Sequence, residues 1–286
     1  MSTLLYDHPG PRARRRNLIL TAVFGIGLLA VLWYIYARFE EKDQWAAEKW
    51  QPFTTAKVWT QFILPALWAT VSAALIAMVL SLAFGLIFAV ARLSERRWIG
   101  VPAGAVIEFC RAVPLLLMMF FLFYGVPFLT QAPFPAFWAV VIGLTLYNGS
   151  VLAEAFRAGI RAVPRGQSEA AYAVGMRKNQ VMQYILVPQA ARAMLPVIVS
   201  QLVVLLKDTA LGYIIAYPEL LQRVGNELTA NYGNVVAAAI VLAVIYIIMN
   251  SALTLFAGWL DRRTRRTAGR ATTRAATGVT DVGTGA

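Results

Sequence analysis

A chain of 286 residues that is 59% hydrophobic, with only 14% Asp, Glu, Lys and Arg, carries too few charges for a soluble domain, where about 25% is usual. Its apolar runs have bilayer length, so the formal charge of +12 is read as membrane topology, not as a nucleic-acid footprint. One cysteine, Cys110, and one histidine, His8, exclude an internal disulfide, a cysteine metal cluster and a histidine catalytic dyad; no cofactor is implied.

In chain order, residues 1–16 form an arm ending in Arg12, Arg14, Arg15 and Arg16. Residues 17–37 predict a first span, with Trp33, Tyr34 and Tyr36 as an interfacial belt at its far end. That run is too long, and its far end too bulky, for a cleaved signal peptide, so a retained helix is expected. Residues 38–62 hold Trp45, Trp50 and Trp59 among four positive and four negative charges, as an exterior interfacial segment would. Further spans are expected at 64–91, 101–129, 137–158, 188–206 and 235–260. The tail, 263–286, is basic, then rich in Gly, Ala and Thr, and is expected to be disordered. The expectation is an all-α polytopic membrane protein of six transmembrane helices, with its main unit at 63–262.

Nineteen of the 26 Lys and Arg lie in the arm, the 92–97 loop, the 157–192 segment and the stretch from Asp261 through the tail. Those segments alternate along the chain, so they share one side, and the positive-inside rule makes that side cytoplasmic for both termini. No GxxxxGK[ST] phosphate loop occurs. If ATP powers this chain, the motor is a separate chain.

The longest polar interruption on the basic side is RAVPRGQSEAAYAVGMRKNQVMQYILVPQ, 161–189. Pro164 and Gly166 are expected to stop the incoming helix. Ser168 is placed to N-cap a short helix over 168–174, with Glu169 at its positive end. Ala170 and Ala171 keep that surface low, and Gly175 suits the left-handed position that ends a helix. Such a helix could seat in a groove of a cytoplasmic partner. A plain capped loop between two spans predicts the same spacing.

Glu169-Ala170-Ala171, Gly175 and the Ile185-Leu186-Val187-Pro188 run resemble the EAA loop of ABC-importer permeases of the polar amino-acid (glutamate, glutamine, histidine and arginine) family. Three further stretches resemble the same family, in the same order: IEFCRAVPLLLMMFFLFYGVP (107–127), AEAFRAGIRAVPRGQSEAA (153–171) and LLKDTALGYIIAYPELL (205–221). Ala112, Val113, Val187 and Ala210 depart from the usual residues. The resemblance covers 63–260 and implies a type I importer permease core of five helices, preceded here by one additional helix. It also implies two ATPase subunits docked at the EAA loops, a second permease subunit, identical or homologous, and an extracytoplasmic binding protein. In that reading Gly166, Glu169, Ala170, Ala171, Gly175 and Pro188 couple the chain to the ATPase.

Charges at membrane depth are costly and usually functional. Glu108–Arg111 and Glu154–Arg157 are each spaced i, i+3 and can neutralise themselves on one face; snorkelling at the span ends is the plainer account. In the functional reading Arg111, followed by the helix break at Pro114, faces the pathway, and a broken helix exposes backbone groups that can hold a carboxylate. Lys207 and Asp208 are assigned to an outer gate, with Thr209 as a cap for the next helix. A cavity for lysine or arginine would offer a carboxylate after Pro114, where Leu115, Leu116 and Leu117 stand, so an acidic or neutral amino acid is favoured, glutamate first and glutamine as the alternative. An ion-coupled secondary transporter would need intramembrane ion ligands and no coupling loop. An intramembrane enzyme would need a nucleophile with its base, which the residue inventory does not supply.

Overall fold

Helix follows helix through the described residues, 10–277, of the computed structural model. The first, α1 (Pro11–Glu41), starts on a proline, whose missing N–H costs nothing in a first turn. It is apolar on all sides and none of its residues is buried by the rest of the chain. Arg12 to Arg16 therefore form its opening turns; His8 and the start of the arm lie outside the described residues. Short turns follow, tied down by aromatic stacking of Trp45 on Tyr36 (5.7 Å) and Trp50 (6.4 Å). Lys49 Nζ then donates to the Gly233 carbonyl at 3.1 Å, and Asn234 Nδ2 donates back to the Lys49 carbonyl at 3.2 Å. The Trp-rich segment after α1 is thus bound to a loop almost two hundred positions later.

The long helices are α2 (Ala56–Arg92), α5 (Ala136–Ala162), α7 (Lys178–Ile215) and α8 (Val235–Thr277), with α3 (Arg97–Ala112) and α4 (Leu115–Thr130) between α2 and α5. A short helix, α6 (Arg165–Ala173), links α5 to α7. Among the described residues, five helices are long and apolar enough to cross a membrane, or six if α3 and α4 count as one.

The α2–α5 pair forms the most extensive helix interface of the fold. Lipid is as apolar as a leucine side chain, so membrane helices are held by close approach, which small residues permit. On α2 the buried residues Thr70, Ala73, Ala77, Ser81, Gly85 and Ala89 recur at helical spacing along one face. A Cβ at Gly85 would stand 2.9 Å from the Leu152 Cβ and 3.2 Å from the Gly149 carbonyl oxygen. A Cβ at Gly149 would stand 2.8 Å from a Phe84 ring carbon. Leu144, Leu205, Leu206, Met119 and Ile215 complete the main core.

Three helices, α2, α4 and α7, pass through a proline beside a widened turn without breaking. A π-helical turn occupies 59–63, 121–125 and 181–186, and each ends two residues before Pro65, Pro127 or Pro188. The wider turn absorbs the missing N–H and relieves the clash of the ring with the preceding turn. Pro188 therefore lies inside α7, which begins at Lys178, ten residues before the expected start of that span.

Within the expected span at 101–129 the helix breaks at the expected Pro114, and the break is a sharp bend. Val113 and Pro114 are extended in backbone, and α3 and α4 meet at 99°. α3 also does not advance along α2. Gly100 faces the carbonyls of Ala91, Arg92 and Ser94, Gly104 faces the Arg92 side chain, and Glu108 still reaches Arg92. Two turns of helix stay at the level where α2 ends, so α3 runs across that end while α4 packs Leu115 and Met119 onto Gly143 of α5. α8 continues to Thr277, into the stretch expected to be irregular; residues 278–286 lie outside the described residues.

Candidate functional site

The polar side chains at the ends of this bundle fall into three groups. The first is α6 and the turn after it. α5 stops at Ala162, and Val163 and Pro164 are extended. Gly166 is not the stop: it lies inside α6, exposed and with open space about it. Ser168 is also interior, not the N-cap, and its hydroxyl donates to the Arg165 carbonyl at 2.8 Å. Starting three residues earlier than expected, α6 places Glu169 beyond the first turn, exposed. Its other end matches expectation. Gly175 has φ +80°, its N–H donates to the Tyr172 carbonyl at 2.9 Å, and the Met176 N–H donates to the Ala171 carbonyl at 3.1 Å. That pair of bonds is the Schellman arrangement, which needs a left-handed residue at this point.

Ala171 is buried under α6, whereas Glu169, Ala170, Tyr172, Ala173 and Val174 stand outward. The helix is bonded to α7 near its start, and α7, which follows it, is anchored by its first residue to the loop after α2. Gln189 of α7 donates to Gln167 at 3.2 Å, and Lys178 is ion-paired to Glu95 in the loop between α2 and α3. The first turn of α7 is closed by a bond from the Arg177 N–H to Gln180 Oε1 at 2.8 Å. A displacement of α6 therefore has two routes onward, into α7 and into the end of α2.

The second group is an ion-pair network where α2, α3 and α5 meet. Arg92 donates to Glu108 Oε1 at 2.6 Å and to Glu154 Oε1 at 2.6 Å, and Arg157 donates to Glu154 Oε2 at 2.7 Å. The expected Glu154–Arg157 pair is present. The expected Glu108–Arg111 pair is not: Glu108 binds Arg92, and Arg111 is exposed on α3. A guanidinium presents a fork of donors, so one arginine can hold two carboxylates where a local i, i+3 partner holds one. By sequence alone Arg92 is no more than a loop charge. A cleft of about 580 Å³ opens beside the network, between α3 and α5.

The third group lies deeper. Asn148 of α5 is fully buried, and Gln201 of α7 donates to its Oδ1 at 2.6 Å. Asn148 Nδ2 has no partner among the described residues, and the Asp208 carboxylate is its neighbour. Lys207 is exposed, and Asp208 half-buried, at the end of the α-helical part of α7. Thr209 is buried and its hydroxyl donates back to the Leu206 carbonyl at 2.7 Å, so it closes the helix it follows, not the next one. Sequence reasoning misses both Asn148 and Gln201. An uncharged amide inside a long apolar run is the signal that could have found them.

Beyond α7, Glu219 is wholly buried and caps the next helical run. Its carboxylate accepts from the Leu221 and Gln222 N–H groups at 2.8 Å each and from the Tyr246 hydroxyl at 3.1 Å. Burial pushes this carboxyl up to about 7, against the pull of the backbone donors. Tyr217 next to it donates to the Ala69 carbonyl at 2.8 Å, and the Leu220 N–H donates to Thr70 at 3.2 Å, so the segment is fastened onto α2.

Residues 81–266 match the family described as binding-protein-dependent transport system inner membrane component. Among curated proteins, the glutamate transport system permease protein GluD of Corynebacterium glutamicum is 44% identical over 230 residues, covering 79% of this chain and 82% of that one. The probable glutamine ABC transporter permease protein GlnP of Bacillus subtilis is 33% identical, covering 73% and 94%. Among solved structures, an amino acid ABC transporter crystallised with histidines superposes with a TM-score of 0.66 at 29% identity, over 72% of this chain and 95% of that one. The MetNI methionine ABC transporter, at 15% identity and a TM-score of 0.63, shares the fold.

Proposed function

The chain belongs to the family of binding-protein-dependent transport system inner membrane components, and from that premise we propose its place in the importer and its substrate. It is an all-helical, multi-pass permease of the type I ABC importers and a transport subunit, with ATP hydrolysed on separate ATPase subunits that work with a substrate-binding protein. The ion-coupled transporter and the intramembrane enzyme fall with that membership.

We infer that the imported solute is glutamate. The relative that is 44% identical over 79% of this chain is the observation that carries this reading. Glu108 and Glu154 are both held by arginines, so neither is free to receive a cationic side chain. Glutamine is the second reading, favoured by the Bacillus relative. In the proposed assembly, two ATPase subunits bind two permease subunits, the basic side faces the cytoplasm with both termini, and the binding protein docks opposite. α6 with Gly175 is the coupling helix, and Glu169, Ala170 and the neighbouring exposed side chains are what the ATPase grips. Gly166 lies in the first turn of α6, and Pro188 in the helix that follows. Lys207, Asp208 and Thr209 mark the outer gate, and Arg111 and Pro114 the turn at which the pathway opens on the basic side. Residues 1–16, 17–62, 63–262 and 263–286 act as arm, accessory helix with exterior segment, permease domain and tail.

The test is uptake by the reconstituted complex with its cognate binding protein. Labelled glutamate should enter, and unlabelled glutamate should compete better than glutamine or arginine. Uptake that glutamine suppresses and glutamate does not would replace the substrate while leaving the family intact.

A further inference from the structure

α3 has two faces of different character. Ala103, Gly104, Ile107 and Cys110 are buried against the bundle, while Trp98, Val101 and Phe109 are exposed and recur along the opposite face. The helix runs across the end of α2 instead of along it, on the side that carries the basic loops. A helix of that build lies in the interface, with its apolar stripe in the acyl boundary.

We propose that the cleft between α3 and α5 binds the phosphate headgroup of an anionic phospholipid. One wall is cationic, with Arg92, Arg157 and Arg161; the other, from α3, carries Val101, Ala105 and Glu108. Arg92 and Arg157 are engaged by Glu108 and Glu154, but Arg161, in the last turn of α5, is exposed and makes no ion pair among the described residues. Arg111 adds a fourth positive charge within electrostatic reach of Glu154. Four arginines against two carboxylates leave the site net positive. A cleft of about 580 Å³ holds a phosphate and its glycerol, and the exposed apolar stripe of α3 continues the acyl surface beside it. A free phosphate ion would satisfy the arginines but not the stripe. Basic pockets between helices at the interface recognise lipid headgroups by this combination, each cation adding about fivefold in affinity.

The full-length chain is purified in micelles and exposed to phosphatidylglycerol or phosphatidylcholine, and bound lipid is counted by native mass spectrometry. No membrane side is involved, so the outcome is independent of the proposed orientation and substrate. Phosphatidylglycerol should be retained over phosphatidylcholine. Arg161→Gln should weaken that retention roughly fivefold, and Arg192→Gln, outside the cleft, should not. Ala105→Phe, which fills the cleft without changing charge, should also expel the lipid. Equal retention of the two lipids, or equal effects of Arg161→Gln and Arg192→Gln, would overturn the site. Displacement of phosphatidylglycerol by an equal concentration of inorganic phosphate would make it a soluble-anion site and overturn the lipid assignment.

Discussion

Arg92, the last residue of α2, and Glu154, two turns before the end of α5, are sixty-two positions apart and meet at 2.6 Å. The same guanidinium holds Glu108, whose side chain is 67% exposed against 17% for Glu154. Water screens the Glu108 contact more than the Glu154 contact. In double-mutant cycles read by thermal melting, Arg92→Gln with Glu154→Gln should show coupling of roughly 1–3 kcal/mol. Arg92→Gln with Glu108→Gln should stay below about 1 kcal/mol. Equal couplings would mean that the two contacts are equally wet.

At Gly175 the backbone is left-handed but the space around a Cβ is open. Within this chain a side chain there costs only the backbone penalty, roughly 1 kcal/mol. Gly175→Asp should leave the permease inserted and abolish substrate-stimulated ATPase activity of the reconstituted complex. Gly175→Asn separates the causes, because asparagine tolerates this conformation. Loss of stimulation with unchanged melting of the permease assigns the defect to contact with the ATPase, and full stimulation by both variants removes α6 from coupling.

The packing of α2 on α5 should tolerate no added methyl at its tightest points. Gly85→Ala would push against the Gly149 carbonyl and the Leu152 Cβ, neither of which can swing away, at a cost of roughly 1–3 kcal/mol. Gly159→Ala meets only the flexible Met194 side chain and the Ala190 Cβ at 3.7 Å, and should cost less. The two melting temperatures, compared in one detergent, check the order.

Asp208→Asn is expected to lower uptake with membrane abundance nearly unchanged, since the change removes charge beside Asn148 and leaves the shape. Asn148→Leu should do the same more severely, as it deletes the unpartnered donor. Wild-type uptake by both variants would return this group to a packing role.

Glu219 predicts an unusual pH response. Its folded-state value, about 7, lies above the ordinary carboxylate value because of burial. A raised acid contributes stability that is fully present below its unfolded value and is lost as pH rises through the folded one. Melting should therefore be highest near pH 5 and fall toward pH 8, and Glu219→Gln should flatten that slope. A stability that rises across this window in the wild type would contradict the burial argument.

The parts legible in the sequence are those decided by local chemistry. Gly175 ends α6 because only a left-handed residue completes the two bonds there, and glycine is the residue that takes that conformation without cost. The long helices are legible from length and apolarity alone. The break at Pro114 is legible because proline cannot continue the preceding helix; its 99° angle is not, because a hydropathy window averages across it and α3 is apolar enough to pass as half a span. Arg92 is hidden for another reason: i, i+3 spacing offers Glu108 a partner in Arg111, and only the tertiary meeting of α2, α3 and α5 supplies the better one. Glu219 and Asn148 are polar residues whose importance lies in burial, which spacing does not encode.

A π turn holds one residue more than the α-helix around it. Each such turn advances the residues after it by about 100° of azimuth relative to an unbroken helix. The residues on either side of Val181–Leu186 therefore keep separate angular accounts: a helix face traced from Gln201 back to Lys178 changes compass bearing on the way. Losing one residue there would shorten α7 by a negligible length, yet it would swing Lys178 through more than a quarter circle away from Glu95.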